Sequence, residues 1–194
     1  MQRTYAALLL FLTATAATFL LPLHAWDLAT TISLQRVAPA PDVAASAFVF
    51  LGDAEVVIPA TVVAGLLLWP HHRAQSVTAL WLAGGLVVVS GIAVCLKFVL
   101  PHPGPPPEFQ RGVVRFGLAV PQPFSFPSGH TTRTTFIAST VLRRLPIAAV
   151  VLVVAMMAAL VYLGDHWMSD VLGGLCLGWA CAEIAGGTRG KLTG

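Results

Sequence analysis

The chain has 194 residues, of which 57% are apolar and only 10% charged, with a net charge of +3. A soluble domain is about a quarter charged, so the composition excludes a disordered chain, a coiled coil and an ordinary soluble enzyme. It leaves a polytopic membrane protein, one domain over residues 1–194. The basic excess does not point to nucleic acid, because several basic residues end apolar runs, where membrane topology accounts for them.

Six apolar stretches follow in order, at 4–25, 46–69, 76–100, 128–142, 146–164 and 169–186. A spanning helix takes about 20 residues, which predicts an all-α bundle of six transmembrane helices, the fourth of them short. The first run, after Gln2 and Arg3, is longer than the core of a signal peptide and is read as a retained helix. Arg3, Arg73, Arg143, Arg144, Arg189 and Lys191 then share one side, which places both termini in the cytoplasm. Arg36, Lys97, Arg111, Arg115 and Arg133 fall at the outer side or its boundary. Trp26, Trp69 and Trp167 are expected as interfacial anchors. Cys95, Cys176 and Cys181 lie in apolar runs without metal spacing and are read as small buried hydrophobes.

Between the third and fourth runs, residues 101–127 form a proline-rich outer loop. Loops of this length in compact domains tend to be functional, and this one joins two polar groups placed against apolar runs. Lys97 is near the outer end of the third run, where it could also snorkel to the interface. Pro127-Ser128-Gly129-His130 opens the fourth run. Ser128 suits a helix cap, and the unpaired amides of such a start form an anion site that Gly129 lets a ligand approach closely. Capping does not explain His130. Between the fifth and sixth runs, on the same outer side, His166 and Asp170 are four apart and share a face if helical. A carboxylate on one imidazole nitrogen fixes the tautomer and makes the other nitrogen more nucleophilic. A cation, amide donors, an acid and a nucleophile on one face are the parts for phosphoryl transfer through a phosphohistidine. No metal is expected, since dense ligand motifs such as His-Glu-x-x-His are absent and a metal would leave Lys97 unexplained.

These residues resemble the type 2 phosphatidic acid phosphatase family, relatives of the vanadium haloperoxidases, whose signatures are Lys-x6-Arg-Pro, Pro-Ser-Gly-His and Ser-Arg-x5-His-x3-Asp. The first reads Lys97 followed by Gly104-Pro105, the second is complete at Pro127 to His130, and the third reads Ala159-Leu160 with His166 and Asp170 at the family spacing. The resemblance implies that His166 attacks phosphorus, Asp170 orients it, and His130 protonates the leaving oxygen. Lys97, Ser128 and the Gly129 amide would hold the phosphate, with no metal or other cofactor.

Both family arginines are missing, replaced by Gly104 and Leu160. Losing such a guanidinium donor costs about 2–4 kcal/mol of oxyanion stabilisation. Arg133, one helical turn after His130, is the expected compensation, with Arg111 and Arg115 as alternatives from the loop. Asp53 and Glu55 are expected to pair with loop arginines or lie in interfacial water. The expected function is an integral membrane phosphatase cleaving a lipid phosphomonoester or diphosphate at the outer face of the cell membrane. Polyprenyl diphosphate, phosphatidate, phosphatidylglycerol phosphate and a phosphorylated glycolipid remain open as substrates. Two alternatives stay open as well. One is an impaired relative that binds a lipid phosphate or serves as an assembly subunit, and the other is a lipid phosphotransferase.

Overall fold

A computed structural model describes residues 2–37, 42–111 and 124–192, with the side chains of Val37 and of residues 187–192 excepted. The described residues form eight α-helices and no strand. They are α1 (Gln2–Leu20), α2 (His24–Val37), α3 (Asp42–Leu51), α4 (Ala54–Leu68), α5 (Arg73–Val99), α6 (Gly129–Val141), α7 (Pro146–Tyr162) and α8 (Met168–Leu192), with a short 3-10 turn at Pro107–Phe109.

By length and hydropathy, α1, α5 and α8 as far as Gly186 qualify as membrane spans. The α3–α4 pair, bent by 52°, makes a fourth if counted as one. The remaining two predicted spans are shorter. At 17 residues α7 is apolar but short of a full crossing. Helix α6 has 13 residues, and Thr131, Thr132, Arg133, Thr134 and Thr135 on it are all buried. It is an interior helix enclosed by protein, while the lipid-facing surface lies elsewhere. Leu9 and Leu12 of α1, Leu66 and Leu67 of α4, Val87 and Val88 of α5, and Val150 and Val151 of α7 are all exposed. Cys95 is exposed too, contrary to its reading as a buried residue.

The first apolar run stops earlier than expected. Pro22 has no N–H to continue the ladder, so α1 ends at Leu20, and a second helix, α2, begins at His24. Hydropathy does not reveal α2, because it carries Asp27, Thr30, Thr31, Gln35 and Arg36. Asp27 is nevertheless buried.

Three packing features place the site. Leu86 and Val89 of α5, Phe136 of α6 and Ala182 of α8 form one apolar cluster. Val49, Met156, Leu160, Val161 and Val171 form another, joining α3, α7 and α8. Between α6 and α8 the backbones nearly touch. A methyl group on Gly174 would lie 2.5 Å from the Ser128 carbonyl oxygen, and one on Gly178 would lie 2.4 Å from that of Thr132. Small residues four apart are the usual device for such close helix contact in membranes.

Candidate active site

Helix α6 begins where it was expected to. Ser128 is fully buried and caps the helix, its Oγ accepting from the Thr131 N–H at 3.5 Å and from the Thr131 hydroxyl at 3.2 Å. Its own N–H donates to the Asp170 carbonyl at 3.0 Å, which ties the start of α6 to the start of α8. The positive end of α6 therefore sits beside the segment that carries His166 and Asp170.

Cations approach this helix end from two directions. Lys97, buried near the end of α5, donates from Nζ to the Phe124 carbonyl at 3.1 Å. Its charge lies within reach of those of Asp170 and Arg133. Arg133 is also buried, with Nε donating to the Gly52 carbonyl at 2.9 Å. Its guanidinium folds back one turn, so that a methyl group on Gly129 would lie 3.2 Å from Nη1. The charge of Arg133 thus reaches the N-terminal turn of its own helix.

Each of the two histidines has a carboxylate beside it, but only His130 is hydrogen-bonded to its own. His130 Nε2 meets Asp53 Oδ1 at 2.7 Å. Asp53 therefore pairs with His130, a partner the sequence reading did not name. His166 Nδ1 lies 3.6 Å from Asp170 Oδ2, too long for a hydrogen bond, and is buried with no hydrogen-bond partner among the described residues. The segment is not helical at His166, which lies in the bend before α8, so the pair meets across the turn into that helix and not along one helical face, and the carboxylate is otherwise engaged. Asp170 Oδ2 accepts from the Trp167 N–H at 2.8 Å, and Oδ1 pairs with His102 Nδ1 at 2.9 Å.

His102 and Asp27 were both missed by the sequence reading. His102 stands five positions after Lys97 in the proline-rich loop. Burial disfavours its charged form, but the bond to Asp170 and the field of Asp27 outweigh this, so its pKa is raised above that of an ordinary imidazole. Asp27 accepts from the Ser169 N–H and Ser169 Oγ, each at 2.8 Å, and so caps α8 from a different helix. Burial raises its pKa, despite the Ser169 donors. Trp167, expected at the interface, is instead buried, its Nε1 donating to the Pro103 carbonyl at 3.0 Å.

The positions that lack the family arginines are filled differently. Gly104 packs near Ser125 and, with Asp27, His24 and His102, lines a cavity of about 260 Å³. Leu160 is fully buried in the apolar cluster around Met156. Of the three arginines considered as replacements, Arg133 alone stands at the α6 terminus among those described. Arg111 is held elsewhere, on the Gln35 carbonyl at 2.6 Å, the Tyr162 hydroxyl at 2.9 Å and Asp42 at 3.4 Å. Arg115 lies outside the described residues, as do the side chains of Arg189 and Lys191.

The model of the PAP2 superfamily matches residues 78–187, more than half of the chain. In fold the chain is similar to the first transmembrane PAP2 type phosphatidylglycerolphosphate phosphatase from Bacillus subtilis. The TM-score is 0.80 and the identity 24%, with 98% of each chain covered. A search of curated proteins finds no match. The matched region holds Lys97, the capped Pro-Ser-Gly-His turn, and the His166–Asp170 segment packed against that turn. With a membrane-helix architecture shared over its length, this chain belongs to the PAP2 superfamily.

Proposed function

We propose that this chain is an integral membrane phosphatase that hydrolyses a lipid phosphomonoester or diphosphate through a phosphohistidine on His166. The observation that carries the reading is the N-terminus of α6. It is a buried, serine-capped helix start flanked by Lys97 and Arg133, which suits an anion, and His130 lies within reach of the charge of His166.

In this mechanism the Nε2 lone pair of His166 attacks phosphorus, forming the N–P bond as the P–O bond to the leaving oxygen breaks. His130 gives its proton to that oxygen. Water, deprotonated by His130, then attacks the phosphohistidine, releasing phosphate and restoring His166. The amides of α6, Lys97, Ser128, Gly129 and Arg133 stabilise the charge that develops on the non-bridging oxygens. Asp170 orients His166, closing the 3.6 Å gap as the imidazole takes up positive charge. Since the charge-neutralising groups all belong to the protein, turnover requires no metal.

The depth of the site supports a lipid substrate. Thirteen residues of α6 rise about 20 Å, against a hydrocarbon core of about 30 Å. With both termini cytoplasmic, as the basic residues indicate, the start of α6 lies on the outer side at the depth of a lipid headgroup phosphate. The B. subtilis protein similar in fold is a phosphatidylglycerolphosphate phosphatase. That lipid therefore belongs in the substrate panel beside phosphatidate, polyprenyl diphosphate and a phosphorylated glycolipid.

The test is phosphate release by the detergent-purified chain across that panel, with His166→Ala and EDTA in parallel. Turnover that His166→Ala abolishes and EDTA leaves unchanged is expected. The loss of both family arginines favours a second reading, a lipid phosphate-binding protein without turnover. That reading prevails if wild type and His166→Ala are equally inert. Transfer to a second lipid in place of release would instead identify a phosphotransferase.

A further inference from the structure

The carboxylate of Asp170 is shared by two imidazoles that come from different parts of the chain. His102 approaches from the loop after α5 and occupies Oδ1, while His166 stands beside Oδ2 with its Nδ1 unpartnered. His102 is built into its place. Its carbonyl accepts from the Ser125 N–H at 2.8 Å and from Ser125 Oγ at 3.1 Å. Its ring sits edge-on to Phe19 and Phe126, with centroids 5.8 and 6.4 Å away.

We propose that His102 is a positioning residue for His166, acting through Asp170, and that it takes the proton that would otherwise quench the nucleophile. The inference rests on the phosphatase reading above. An imidazole paired with a buried carboxylate holds a proton tightly, and a protonated His166 has no lone pair to offer phosphorus. Two imidazoles around one carboxylate do not both charge readily, because the second proton meets the first, and the pair titrates as a unit. Among the described residues, the charged and titratable groups facing His102 are Asp170 on α8, Asp27 on α2, and His24 across the cavity, while Lys97 of α5 is within reach of Asp170 and His130 of α6 within reach of His166. From α1 the residues that meet His102 or its cavity are Phe19 and Thr18, followed by Leu21 just past the helix, and none of them titrates. Two carboxylates thus favour the charged form of His102, and the first proton to enter the pair settles there. His102 thereby carries the charge on the shared carboxylate and leaves the His166 lone pair for phosphorus.

The experiment is the pH dependence of kcat and KM for phosphatidate hydrolysis by the detergent-purified chain, in wild type, His102→Asn and His102→Ala. Asparagine keeps an N–H donor close to the place of Nδ1 but cannot take a proton. In His102→Asn the acid limb of kcat is expected to move up by about one pH unit, with KM changed less than about twofold. His102→Ala is expected to lose about tenfold in plateau kcat, most of which asparagine restores. An acid limb unmoved in both variants overturns the proposal. A second measurement does not depend on turnover: histidine carbon-13 NMR titration of His102 in wild type and Asp170→Asn. The midpoint is expected to fall by about a unit when the carboxylate is lost, and an unchanged midpoint also overturns the proposal. If His102 follows Asp170 but the wild type releases no phosphate from any lipid, the shared carboxylate stands and the phosphatase reading alone fails.

Discussion

His130 and Asp53, 77 positions apart, meet at 2.7 Å from Nε2 to Oδ1. With Nε2 donating to the carboxylate, Nδ1 is the nitrogen left to exchange protons with a substrate, and the ring is fixed for that task. Asp53→Asn keeps an acceptor but removes the charge that favours a protonated His130. It is expected to lower kcat by about ten- to a hundredfold with little change in KM. Steady-state kinetics on a lipid phosphate checks this, and a kcat within twofold of wild type would count against the pairing having a role.

Arg133 tests the compensation for the missing arginines. Arg133→Ala should weaken competitive inhibition by inorganic phosphate by about 2–4 kcal/mol, or roughly thirty- to several-hundredfold. Thr132→Ala, which loses only the hydroxyl bond to the Ser128 carbonyl, is the control. Arg133→Lys should recover part of the loss, since it restores the charge but not the planar fork. Equal inhibition constants for Arg133→Ala and the control would remove Arg133 from the anion site.

The close contact of α6 with α8 predicts a structural cost. A methyl group at position 178 would lie 2.4 Å from the Thr132 carbonyl oxygen, and backbone cannot swing aside as a side chain can. Gly178→Ala is expected to destabilise the protein by about 1–3 kcal/mol. Gly84, where a methyl group meets nothing within 4 Å, is the comparison. Thermal melts in detergent should show Gly178→Ala well below Gly84→Ala, and coincident melts would refute the close contact.

Asp27 gives a pH dependence with a definite sign. Its folded pKa is raised by burial, so the stability from its protonated form is complete below the unfolded carboxylate range. That stability is lost as pH rises through the folded value. Asp27→Asn can still accept from the Ser169 N–H and donate to Ser169 Oγ, without a charge to bury. The melting temperature of wild type relative to this variant should therefore fall between about pH 4 and the folded value, then level off. Asp27→Ala, which leaves the Ser169 N–H without its cap, should cost about 1 kcal/mol. Parallel melting curves for wild type and Asp27→Asn at every pH would sink this account.

What could be read from the sequence was local. Ser128 as a cap on the helix that opens at Gly129, and His166 close to Asp170, follow from spacings of four residues or fewer, although His166 stands in the bend before α8 and not on its face. Arg133 reaching its own N-terminus follows from the same arithmetic. Asp53 with His130 and His102 with Asp170 join residues 77 and 68 positions apart, and no periodicity encodes such pairs. Hydropathy marked α6 and α5 as the same kind of object, although one is enclosed by protein and the other faces lipid. It passed over α2 altogether, because a helix that buries an aspartate against Ser169 has no apolar run to display.

The 52° break between α3 and α4 has a consequence for how the molecule is divided. At the break, the Gly52 carbonyl and the Asp53 side chain are free to serve Arg133 and His130. Farther back, Asp27 caps α8. None of these three lies within residues 78–187, where every signature position falls. The first third of the chain thus stands to the remainder as one subunit stands to another, supplying in cis the acceptors that Arg133, His130 and Ser169 use. A fragment reduced to the signature region would keep its motifs and lose their ballast. Co-expression of the two pieces, split in the His71–His72 turn, is the arrangement in which activity should return.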